Sequence, residues 1–74
     1  MSNSYEANIV NKLVVDFQQG KKLASFKKLR EYVDNNPEDQ TARYNFAIMC
    51  EQLNNIDLAK NNYNKILKIN AKHW

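Results

Sequence analysis

Few side chains in this sequence are of the kinds that carry chemistry. The single His is His73, next to the last residue, with no Cys or carboxylate at metal-ligand spacing. The single Cys is Cys50, so no intrachain disulfide can form, and a reducing compartment suits the chain. Its neighbours Phe46, Ala47 and Met49 mark it as a small core residue rather than a nucleophile. Glu38 and Asp39 adjoin just after Pro37, where the dipole and capping needs of a helix start account for them without acid–base work. One Gly cannot build a phosphate-cradling loop. The expectation is therefore no catalytic residue, no metal and no cofactor. One charged run remains, Lys21, Lys22, Lys27, Lys28 and Arg30, but Glu31 and Asp34 interrupt it and the net charge is only +3. A solvated face explains such a run, and RNA binding through it is the least favoured of three readings.

The elements that must position any site are helical. Ile9, Val10, Leu13, Val14 and Phe17 recur at steps of three and four, which predicts a helix over about 4–18 with Ser4 as its N-cap and Gly20 as its left-handed terminator. A second helix is expected over about 22–35, with Leu23, Phe26, Leu29, Tyr32 and Val33 as its apolar stripe and Asn36-Pro37 as its stop. A third is expected over about 37–53, capped by Asn36 and packed through Phe46, Ala47, Met49, Cys50 and Leu53. Asn54-Asn55 turns the chain, because Asn tolerates positive φ. A fourth helix over about 56–69 should pack through Ile56, Ala59, Tyr63, Ile66 and Leu67, leaving Leu58 and Ile69 on a second stripe. Asparagine pairs such as Asn61-Asn62 are given no functional weight.

The stretch from Arg43 to Ala71 resembles one tetratricopeptide repeat, a helix–turn–helix unit of about 34 residues with the pattern W-x2-L-G-x2-Y, A-x3-F, P. Arg43, Phe46, Ala47, Cys50, Ala59, Tyr63 and Ala71 occupy those slots. Ala59 matches outright, Phe46, Ala47 and Tyr63 are conservative, and Arg43, Cys50 and Ala71 depart. Gly20, Ser25, Leu29, Tyr32 and Pro37 precede Asn54, Ala59, Tyr63, Ile66 and Ala71 by 34 residues and share their roles. With a slip of one, Val10, Leu13, Val14 and Phe17 fill the first-helix slots; the unslipped frame would bury Lys12 and Asp16, which is costly without partners. The resemblance implies an all-α fold of four helices, two stacked antiparallel hairpins of a right-handed solenoid. Repeat one would span about 7–39 and repeat two about 40–73 of a single domain.

The resemblance also implies a binding surface lined by the first helix of each hairpin. Its candidates are Asn8, Asn11, Val15 and Gln18, then Thr41, Tyr44, Asn45, Ile48 and Gln52. Family members that clamp acidic chaperone C-termini need Lys and Asn at set positions. Asn45 matches one, but Asn11 and Val15 stand where others are required, which argues against that partner. Leu58, Ile69 and Trp74 would form an open end that docks a further repeat or a second copy as a homodimer. The reading is a non-catalytic module for a protein or peptide partner. The alternative is the N-terminal repeat region of a larger sulfotransferase or glycosyltransferase. No apolar run reaches the roughly 20 residues of a membrane span, and the polar start lacks signal-peptide features, so a cytoplasmic protein with no membrane partner is expected.

Overall fold

The computed structural model describes the backbone of residues 2–71 and the side chains of residues 9–68. Four helices follow one another: α1 (Ser2–Gln18), α2 (Lys22–Asn35), α3 (Gln40–Gln52) and α4 (Ile56–Ala71). The fold is all-α, as the periodicity predicts. The connections are three or four residues long, and each helix packs on the one before it.

Turn chemistry fixes both hairpins in the same way. At the end of α1, the Gly20 amide donates to the Phe17 carbonyl and the Lys21 amide to the Asp16 carbonyl, with Gly20 at φ +106°. At the end of α3, the Asn54 amide donates to Glu51 and the Asn55 amide to Cys50, with Asn54 at φ 63°. Each set is a Schellman motif, which satisfies carbonyls left free at a helix end through one left-handed residue. The two motifs lie 34 residues apart in the chain. The start of each following helix repeats as well: the Ser25 amide reaches Lys21, and the Ala59 amide reaches Asn55.

The core is one cluster. Val10, Leu13 and Phe17 from α1 meet Leu29 and Val33 from α2, then Ala42, Phe46, Met49 and Cys50 from α3 and Ala59 from α4. Phe26 and Phe46 stack at 5.0 Å and join the hairpins. Ser25, Ala47 and Ala59 are all but fully buried, so the small residues sit where backbones approach. Along α1, Lys12 is exposed, Val10, Leu13 and Phe17 are buried, and Val14 and Asp16 are both half-buried. At about 100° per residue, α3 turns Asn45, Ile48 and Gln52 toward α1, Phe46 toward α2, and Arg43 and Ala47 toward α4. Going round α3, its neighbours therefore come in the order α1, α2, α4. Among the described residues, α4 packs on α3 alone.

Several expectations are corrected. Helix α1 begins at Ser2, so Ser4 lies inside it and is not its cap. Helix α3 begins at Gln40, and its cap is Asp39, whose Oδ1 accepts from the Ala42 amide at 3.0 Å. Asn36 instead donates its side-chain amide to the Tyr32 carbonyl at the end of α2. The choice falls to Asp39 because the Tyr32 hydroxyl also donates to its Oδ2, at 2.9 Å, so one carboxylate ties α2 to the start of α3. Leu23 leaves the α2 stripe and is 73% exposed. Ser25, Leu29 and Val33 face the core at steps of four, and Leu23 stands about 120° away from Leu29. Ile56 and Leu67 are exposed as well, because α4 turns Ala59 and Asn62 toward α3. Leu58, expected on the free stripe, is half-buried against the core. Asn62, one of the asparagines given no weight, is buried.

Candidate interaction surface

The first helices of the two hairpins meet over a shallow hollow. Val14, Phe17, Ile48 and Met49 form its floor, and Gln18, Asn45 and Gln52 stand around it. Its volume is about 30 Å³. That is room for a water, not for a drug-sized molecule. Phe17 and Met49 are buried, whereas Val14 and Ile48 keep partial exposure and offer apolar contact. The three amides offer donors and acceptors without charge. Asn45 uses one donor on the Thr41 carbonyl at 3.0 Å, which holds its side chain along α3. Such a surface can hydrogen-bond a neutral chain and cover apolar side chains. Nothing in it supplies a general base.

The sequence-derived candidates divide here. Gln18, Asn45, Ile48 and Gln52 come together around the hollow. Asn11, Val15 and Thr41 are exposed on the same two helices without lining it. Tyr44 goes elsewhere. Its ring meets Tyr63 edge-on at 5.9 Å, so it leans on α4. The reason is angular: Tyr44 precedes Asn45 by one residue, and one residue is about 100° of helix. Val14, Phe17 and Met49, expected in the core, also floor the hollow. Of the expected association end, Leu58 is half-buried, while Ile69 and Trp74 lie outside the described side chains, as does Asn8.

Tyr63 also carries the clearest electrostatic feature. Its hydroxyl donates to Glu51 Oε1. That hydrogen bond, then burial, then the Glu51 charge, push the phenol up to about 12. Because the folded value is raised, the stabilisation from this bond is fully present below the ordinary tyrosine value of about 10 and is lost as pH rises from there to about 12. Phenolate absorbance should show an ionisation near 12, and Tyr63→Phe should remove it. A wild-type titration in which all tyrosines ionise together near 10 with helicity intact would refute the assignment. Cys50 behaves as a core residue. Burial raises its thiol pKa, and the Arg30 charge and a backbone hydrogen bond oppose that rise.

Among the described residues, no group of three or more His, Cys, Asp or Glu could hold a metal ion, and no helix is long and apolar enough to cross a membrane. No family model, no curated protein and no solved structure matches the chain.

Proposed function

We propose that this chain is a non-catalytic protein-interaction module of the tetratricopeptide kind, two hairpins of an α-solenoid, working in the cytoplasm. The α1/α3 face receives a peptide segment of a protein partner. The observation that carries the reading is the gathering of Gln18, Asn45, Ile48 and Gln52 around one apolar floor. Two further findings support the repeat character. The Schellman motifs recur 34 residues apart, and α1 and α3 bury equivalent positions, Leu13 with Phe46 and Phe17 with Cys50. The uncharged rim argues for a neutral segment rather than an acidic tail.

The test is a displayed peptide library selected on the wild-type chain, followed by titration of the selected peptides. Ile48→Glu places a charge beside the floor and should weaken binding by about tenfold or more, the scale of losing one central contact. Its circular dichroism should match wild type, because Ile48 is only half-buried. Tyr44→Ala should change affinity little. The opposite pattern, Tyr44 essential and Ile48 indifferent, would move the binding face to the α3/α4 edge.

A further inference from the structure

The exposed charge of this chain is unevenly placed. On α2 and the residue leading into it, Lys21, Lys22, Lys27, Lys28 and Arg30 are all exposed, against Glu31 and Asp34. On α4, Lys60, Lys65 and Lys68 are exposed, against Asp57. These two helices together with Lys21 thus carry eight bases and three acids among the described side chains, a net charge of +5. The other described side chains give the reverse. Lys12 and the buried Arg43 stand against Asp16, Glu38, Asp39 and Glu51, a net charge of −2. The overall +3 conceals this separation. Helices α2 and α4 follow one another going round α3 without touching, so the excess of bases is carried on the second helix of each hairpin.

We propose that the α2/α4 face is a second binding surface, and that it takes the phosphate backbone of a nucleic acid. Three observations choose that occupant. First, seven of the eight bases are lysines, point charges that bind phosphate oxygens without demanding a fixed bidentate geometry. Lys22 lies over the Phe17 ring at 5.8 Å, and none of the other seven is held in an ion pair among the described residues. Second, exposed Asn61 and Asn64 alternate with the α4 lysines and add neutral donors of the sort that bond phosphate oxygens. Third, α2 and α4 expose no aromatic ring fully; Phe26, Tyr32 and Tyr63 are all half-buried. With no fully exposed ring among the described residues of α2 and α4, binding follows the backbone and is indifferent to sequence.

Fluorescence anisotropy with labelled mixed-sequence duplex RNA and duplex DNA tests this on the full chain. Wild type should bind both, losing roughly a hundredfold in affinity between about 50 and about 200 mM salt if about four phosphates are contacted. Lys60→Glu/Lys65→Glu/Lys68→Glu and Lys27→Glu/Lys28→Glu/Arg30→Glu should each abolish binding at the lower salt, with helicity unchanged. Lys12→Glu and Ile48→Glu should bind as wild type does, which separates this surface from the peptide-binding face. The proposal is overturned if neither duplex binds at low salt, or if Lys12→Glu weakens binding as much as the triple substitutions. It is overturned too if polyglutamate or phosphatidylserine vesicles bind more tightly than either duplex, since the surface would then serve an acidic protein or a membrane.

Discussion

Phe46→Ala is expected to destabilise the fold by about 3–5 kcal/mol, the usual cost of emptying a buried aromatic site. Phe46 is 3% exposed and stacks on Phe26 at 5.0 Å. It therefore closes the junction between hairpins as well as filling the core. A chain of 74 residues has a total stability of roughly 4–11 kcal/mol at the usual 0.05–0.15 kcal/mol per residue. The substitution consumes a large part of that. At about 4–8 °C per kcal/mol for a domain of this size, a melt followed by circular dichroism should fall by more than about 12 °C or lose its transition. Leu23→Ala is the matched control. Leu23 belongs to the same apolar periodicity in the sequence but is 73% exposed, so its removal should stay within about 0.5 kcal/mol. Equal losses from both substitutions would mean that the helix faces are wrongly assigned.

That contrast shows what a sequence of this kind reveals. Gly20 and Asn54 were legible because a left-handed residue ending a helix is a local requirement, and Gly and Asn meet it at least cost. Phe46 and Leu29 were legible because they sit at the centre of their stripes. Leu23, Ile56 and Leu67 sit at stripe margins, where only the neighbouring helix decides what is covered. The start of α3 takes Asp39 as its cap where Asn36 is expected. A hydroxyl from Tyr32, seven residues before it, also donates to that carboxylate, and no local pattern announces the contact. The hollow was legible in part. Asn45, Ile48 and Gln52 recur at steps of three and four, so they share a face whatever that face does. Of the basic surface, the α2 run is visible in the sequence, whereas Lys60, Lys65 and Lys68 join it only through the order of the helices around α3.

Least legible was the polar contact inside the α3/α4 hairpin, and it carries the second large effect. Arg43 takes the slot where the tetratricopeptide pattern has tryptophan, yet it is only 8% exposed. Its Nη1 donates to Asn62 Oδ1 at 3.0 Å, and Nη2 reaches the Pro37 carbonyl at 3.5 Å. Asn62, 4% exposed, in turn donates to the Leu58 carbonyl at 2.8 Å and is thereby fixed along α4. Among the described residues, the Arg43 Nε is buried with no hydrogen-bond partner. A guanidinium here is therefore incompletely satisfied, and its one good side-chain acceptor is Asn62. Asn62→Leu removes that acceptor and should cost about 1.5–3 kcal/mol, the range for hydrogen bonds to charged groups. Arg43→Met keeps an unbranched chain in the slot and takes away the charge and the orphaned N–H. Paired with Asn62→Leu, it should recover most of the loss, since replacing both members of a buried polar pair by apolar groups is often neutral or stabilising. Denaturant unfolding of the two single variants and the double variant reads the coupling directly. Additive losses, with the double variant the least stable of the three, would show that the pair is not energetically coupled and that Arg43 is held chiefly by the packing of its aliphatic stem.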